Sequence, residues 1–272
     1  LLHLLFLVHA HHRIERLFSI EGGAQENLVD GGMGAFAGRV AAELGDAVHL
    51  GTPVRSIAQH GYGVVLAAGD MEVHATRCVV TTPPALTLDI AFSPDLPDDR
   101  RALYRQAVGG VETKTLVVYD EPFWRDDGLS GQSAGAGTPS EVTIDASPGE
   151  GPAGVLASFA FGPVAARLAT ASADDRRTHL LDTLSGRFGP KAARPEAVVE
   201  TAWFTEPWSR GCSLAHLPPG ALTRSGRLLR EPFGRVHWAG TETATVSHGA
   251  VDGAIRSGDR VAEEVLSELE PG

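Results

Sequence analysis

The chain predicts an α/β fold in two domains, on three observations. Short apolar runs with the period of strands alternate with amphipathic stretches of helical period. A strand-like run, Val236-His237-Trp238-Ala239-Gly240, ends in small residues, meets an acid at Glu242 and leads into a helix spaced by Gly249, Gly253, Ala254 and Gly258. With 272 residues, 43% hydrophobic and 21% charged, the chain is long enough for two cores and has the balance of an ordinary globular protein.

The elements follow in order. Residues 1 to 18 read as a helix, because Leu4, Leu5, Val8, His11 and Glu15 repeat at helical spacing before Gly22-Gly23 breaks the chain. Gly32-Met33-Gly34-Ala35-Phe36-Ala37 opens a second helical stretch, to Leu44. Strands take over from Val48: VHLGTPVRSI, GVVLAAG and MEVHATRCVVTT, with turns at Gly61-Tyr62-Gly63 and Gly69-Asp70. The continuous run Cys78-Val79-Val80 reads as a strand buried on both faces, stopped by Pro83-Pro84.

Residues 96 to 107 read as a helix and Lys114 to Tyr119 as a strand, followed by a loop-rich region over 126 to 152 with one strand, EVTIDA. VLASFAFG is a further strand. Asp174 to Phe188 carries Leu180, Leu181 and Leu184 on one helical face, with Ser172 as cap and acids in the first turn. Val198 to Phe204 is strand-like, a glycine-rich loop holds Cys212, and the terminal strand and helix close the chain.

Composition excludes several classes. A net charge of −11 argues against a nucleic-acid partner. Two cysteines, Cys78 and Cys212, imply no disulfide framework and fit a reducing, cytoplasmic setting. The opening LLHLLFLVHA is too short to span a bilayer and lacks a basic leader, and LSELEPG carries no hydrophobic anchor. His3, His9, His11 and His12 form no closed ligand set with a carboxylate, so no metal is expected.

The residues Ala239-Gly240-Thr241-Glu242-Thr243-Ala244-Thr245, with GAVDGAIRSGDRVAEEVL after them, resemble the flavin-containing amine oxidase family of monoamine and polyamine oxidases. Further segments resemble it in the same order: Gly22-Gly23-Ala24-Gln25-Glu26 with Gly31-Gly32, Thr52-Pro53-Val54, Thr81-Thr82-Pro83-Pro84, Lys114 through Glu121-Pro122-Phe123-Trp124, and Trp203 through Gly211-Cys212 to Pro218-Pro219-Gly220. The resemblance implies a two-domain FAD-dependent amine oxidase-like fold: a truncated Rossmann-like FAD domain over 30–103 and 206–272, and a mixed-sheet substrate domain over 1–29 and 104–205.

The family opens with a βαβ unit carrying G-x-G-x-x-G, and this chain reads as starting after it, short of about 150 residues. Gly32 to Ala37 reads G-x-G-x-x-A, but little strand precedes it, and Gly51 to Arg55, where the ribose acid would fall, has no carboxylate. The favoured reading is a helix N-terminus packed close to the flavin or a neighbouring strand, rather than a dinucleotide site by itself.

Site roles follow from the same resemblance. Lys114 corresponds to the lysine that holds a water against the flavin's reactive nitrogen and assists reoxidation by O2; the alternative is an edge-strand lysine reaching solvent. Trp203 and Trp208 correspond to aromatics along the flavin ring, and Cys212 to the cysteine that animal monoamine oxidases bond to it, the bond itself being open here. Val54, Gly240, Thr241, Glu242 and Val251 complete the cofactor set, with Glu242 read either on a ribitol hydroxyl or as part of a helix cap.

The family's tyrosine pair is replaced by Ser213 and Ala250, so no such aromatic clamp forms. Gln25, His216 and His248 are the remaining substrate-side candidates.

The function so implied is oxidative deamination of a primary or secondary amine, with O2 as acceptor and imine or aldehyde and H2O2 as products. The partners are an amine and O2, with no membrane anchor; a homo-oligomer is compatible. Two alternatives stand: a flavin oxidoreductase on a non-amine, desaturase- or protoporphyrinogen oxidase-like, substrate, and an inactive fragment that does not bind FAD alone.

Overall fold

The computed structural model describes residues 29–149, 151–212 and 214–269, together with Leu5, Val8, Glu15, Ser19, Gly22, Gly23, Glu26 and Asn27. The helix expected over residues 1–18, its histidines and Gln25 thus lie wholly or mostly outside the described residues, as does Ser213. The chain divides into two compact units, Leu1–Val108 with Leu214–Gly272, and Gly109–Ser213. The first cut lies past the expected 103/104 because Leu103 and Tyr104 are buried in the first unit's core. The second lies past 205/206 because the backbone at Arg210 to Cys212 lies against Gly109 and Gly110.

In the first unit, α1 (Gly32–Leu44) starts where Gly31 and Gly32 take positive φ, 74° and 77°. None of its residues is buried, and Met33, Phe36, Val40 and Leu44 are 44–58% exposed. A Cβ at Gly32 or Gly34 would meet nothing within 4 Å, so among the described residues no neighbouring strand packs closely against its N-terminus.

Strands β1 (Val54–His60), β2 (Gly63–Ala68) and β3 (Met71–Ala75) form the expected meander. It begins at Val54 rather than Val48, because Gly51 turns at φ 67°. At Gly63 a side chain is impossible: its Cβ would lie 2.5 Å from the Ala75 carbonyl oxygen. The next strand, β4 (Cys78–Val80), leaves this sheet, and β5 (Ala91–Ser93) joins β1 in parallel, giving the order β3-β2-β1-β5. Helix α2 (Asp98–Gln106) follows, its first-turn Asp98 and Asp99 meeting the positive end of the helix dipole.

The second unit is one sheet: β6 (Glu112–Tyr119), β7 (Ser133–Ala134), β8 (Val142–Asp145), β9 (Gly154–Phe161) and β10 (Ala197–Ala202), in the order β10-β6-β9-β8-β7. Between β9 and β10 run α3 (Gly162–Thr170), a helix the sequence reading passed over, and α4 (Ala173–Phe188). Ser172 caps α4 as expected, its Oγ accepting from the Asp175 amide at 3.1 Å. Leu180, Leu184 and Phe188 of α4 close over Val117, Tyr119, Phe123, Trp124 and Leu156. Burying each such leucine or valine is worth about 1.5–3 kcal/mol. Trp124 is fully buried because its Nε1 donates to Asp145 Oδ2 at 2.9 Å.

The chain then returns to the first unit, where β11 (Val236–Trp238) pairs in parallel with β4 and α5 (Val251–Leu269) ends the described chain. All of β11 is buried, but Val79 of β4 is 39% exposed, so β4 is not covered on both faces as expected. Trp238 packs edge-on against Tyr104, with the Arg100 guanidinium 4.5 Å above its ring. His237, fully buried, meets Glu264 of α5 at 2.5 Å and ties that helix to the strand. No helix of the described residues is long and apolar enough to cross a membrane.

Candidate functional site

The carboxyl end of β11 forms the candidate site of the first unit. Ala239 still donates to the Val80 carbonyl at 3.0 Å, continuing the pairing by one residue. Gly240 then turns at φ 115°, a value a side chain disfavours, and its amide donates to Ser257 Oγ of α5 at 2.9 Å.

A short 3-10 turn, Thr241–Thr243, follows. Thr243 Oγ1 donates back to the Gly240 carbonyl at 2.9 Å. Thr241 Oγ1 accepts the Gly249 amide at 2.7 Å, drawing the residues before α5 toward the turn. Glu242 does not cap a helix, since α5 begins only at Val251; its Oε1 accepts the Ala215 amide at 3.1 Å. One carboxylate thus joins the strand-end turn to the segment after Ser213.

Beside this turn lies a cleft of ≈ 530 Å³, open solvent included. Leu214, Leu217, Leu222 and Leu229 give it apolar walls, and Glu242, His216 and His248 are its polar groups. Burial holds the His248 imidazole below its ordinary value; the Glu242 charge and a backbone hydrogen bond at Ala244 oppose that shift, and Arg230 adds to it. A smaller cavity of ≈ 260 Å³ shares Pro84, Leu229 and Glu242 with the cleft and reaches Thr82, Tyr104 and Thr243. Glu242 therefore stands where the two spaces meet.

The second unit carries the other candidates. Strand β6 has a fully packed face (Thr113, Thr115, Val117, Tyr119) and a half-buried one (Glu112, Lys114, Leu116, Val118). Lys114 is not on an edge: β6 is flanked by β9 and β10, opposite Phe159 and Thr201. Its Nζ lies 5.5 Å from the centre of the Phe159 ring, and that ring stacks on Phe161 at 6.2 Å and 2°. Among the described residues no carboxylate forms an ion pair with it, and the aromatic face is its close contact.

Cys212 stands next to this face. Its amide donates to the Gly110 carbonyl at 3.0 Å, and its thiol donates to Glu112 Oε1 at 3.7 Å. Arg210, two residues earlier, adopts φ 50°, uncommon for a residue with a side chain. The loop holds this turn because the Gly109 and Gly211 backbones touch: a Cβ on Gly211 would lie 2.5 Å from Gly109 Cα. Trp203 and Trp208 are 38% and 69% exposed, the Trp203 carbonyl accepting from Ser209 Oγ at 3.0 Å.

Lys114 and Cys212 thus flank Glu112 in one unit, while Glu242, His216 and His248 share a cleft in the other. Gly240 and Thr241 belong to the strand-end turn, and the Ala250 carbonyl, just before α5, accepts a 3.3 Å bond from Thr241 Oγ1. Val54 packs against the first unit's core and does not line the cleft, and Val251 is the half-exposed first residue of α5. Sequence reasoning passed over Glu112, although a residue two before Lys114 on a strand must share its face.

The sequence profile of the flavin containing amine oxidoreductases matches residues 4–266. The chain belongs to that family. It is 38% identical over 245 residues to an L-amino acid dehydrogenase of Synechocystis, covering 90% of this chain and 52% of that protein. It is 36% identical over 255 residues to amine oxidase [flavin-containing] B of Sus scrofa, covering 92% and 49%. Among solved structures, cyclohexylamine oxidase from Brevibacterium oxydans matches with a TM-score of 0.89 at 30% identity, over 97% of this chain and 59% of that one. The chain thus spans about half the length of the relatives it matches.

Proposed function

We propose that this chain forms the flavin-facing and substrate-facing part of an FAD-dependent amine oxidase. Lys114, held half-buried on an interior strand of its sheet, carries the reading. An ammonium at that depth, with an aromatic face as its contact and no ion pair among the described residues, is costly to keep, which supports a role in a site. The residues also fit the cofactor: the cleft is apolar with few polar groups, and Glu242 retains acceptor capacity beyond its bond to Ala215.

A bound flavin supplies the two-electron acceptor and passes those electrons to O2, yielding H2O2. The substrate loses a hydride from the carbon bearing nitrogen, and water hydrolyses the resulting imine to aldehyde with release of ammonia from a primary amine or of the shorter amine from a secondary one. Lys114 orients a water and supplies positive charge where oxygen is reduced. Apolar walls exclude bulk water, and the amine reacts neutral, so hydride transfer needs no strong base.

Ala250, in place of a tyrosine, supports a substrate other than a small arylalkylamine, and it keeps open a second reading, a non-amine substrate of a related flavin oxidoreductase. Loading the purified chain with FAD and adding amines, amino acids and apolar C–C substrates under argon tests both. Bleaching of the flavin by amines, with H2O2 after admitting O2, is the expected result. In the loaded chain Lys114→Met slows reoxidation far more than reduction. A loaded chain whose flavin no amine bleaches refutes the assignment, whereas a chain that takes up no flavin is the outcome expected of a fragment that does not bind FAD alone.

A further inference from the structure

The contact between Cys212 and Glu112 has no part in the reaction above. We propose that Glu112 is a positioning residue that holds Cys212 as a neutral, hydrogen-donating thiol. Removing its carboxylate then makes this sulfur easier to ionise, against burial that still opposes it.

Geometry supports this first. Cys212 is pinned through its own amide to Gly110, and the Gly109 and Gly211 backbones lie in contact beside it. Its sulfur therefore stays 3.7 Å from Glu112 Oε1. A thiolate at that distance would face a half-buried carboxylate with no hydrogen between them, so the proton stays on sulfur.

Electrostatics agrees. The Cys212 thiol is pushed up to about 11, by burial first, then by the charge of Glu112 and the hydrogen bond to it, with Lys114 opposing. Burial likewise raises Glu112, while the Cys212 bond and Lys114 pull it back. At pH 7 this leaves thiolate at about one part in ten thousand, against a few per cent for a free cysteine. Cys78 provides an internal control: it too is pushed up to about 11, but by burial alone. On the reading of function above, a flavin held by this chain carries no bond to Cys212.

Site-resolved alkylation by iodoacetamide, in which the thiolate displaces iodide and its proton passes to solvent, tests the proposal in wild type, Glu112→Gln and Glu112→Asp between pH 6 and 11. In Glu112→Gln the Cys212 midpoint falls by about half a unit or more, giving roughly threefold faster labelling at pH 8, while Cys78 is unchanged. Glu112→Asp, which draws the carboxylate back by one methylene, gives a smaller change of the same sign. It decides the matter should the glutamine variant not fold.

An unaltered Cys212 profile overturns the proposal. Cys78 and Cys212 accelerating together also overturns it, since the carboxylate would then act only by holding the fold. Intact mass after incubation with FAD and denaturation is expected to show no flavin on wild-type protein, and an adduct at Cys212 overturns the inference. Alkylation needs no flavin, so failure of the oxidase reading leaves this test standing.

Discussion

Replacing Gly109 by alanine tests whether backbone contact, rather than the loop's own residues, places Cys212. The new Cβ would lie 2.4 Å from the Arg210 carbonyl oxygen and 2.9 Å from Gly211 Cα, both main-chain atoms that no rotamer change can move aside. Overpacking of this kind costs about 1–3 kcal/mol. Pushing the loop away also loses the bond from the Cys212 amide to Gly110, worth about 1 kcal/mol. Against this, the lower entropy of an unfolded alanine chain contributes roughly 0.4–1 kcal/mol.

The sum is a loss of about 2 kcal/mol, within the span of these terms. Urea unfolding followed by tryptophan fluorescence measures it, with Gly186→Ala as the control. Gly186 lies inside α4 with open space where its Cβ would go, so alanine there stabilises by roughly 0.5–1 kcal/mol. A Gly109→Ala loss below about 0.5 kcal/mol would refute the reasoning, because the clash would then have been relieved without displacing the loop.

Asp145 lies below the ordinary carboxylate range: burial raises it, but bonds from Arg125, Ser147 and Trp124 outweigh burial. Its stabilisation is therefore fully present above about pH 4 and is lost as pH falls through the lower folded value. Asp145→Asn should be less stable than wild type at pH 7, with the gap narrowing in thermal melts toward pH 3. A gap that stays constant contradicts this assignment. Leu184, fully buried between α4 and the sheet, should cost about 2–5 kcal/mol as alanine in the same urea assay, and a loss under 1 kcal/mol would show that the core collapses to fill the gap.

Local pattern revealed much of this molecule without a structure. Strands β6 and β9 and helix α4 were legible because period-2 and period-3.6 burial is written into consecutive residues, and Ser172 marks its helix through a bond only three residues long. The terminal strand and helix were legible for the same reason, with Gly240 placed where its positive φ is needed. The family could be read from such segments in order, without knowing how they meet.

Sheet partners could not be read. That Lys114 stands on an interior strand depends on β9 and β10, which pair with it from 45 and 87 residues away in register. The choice between an edge lysine and a buried one belongs to that pairing. Glu242 likewise meets Ala215, 27 residues distant, instead of the helix after it, and Glu112 meets Cys212 across 100 residues. Periodicity records which face a residue shares with its neighbours along the chain; which groups meet that face is settled only when distant backbone closes around it.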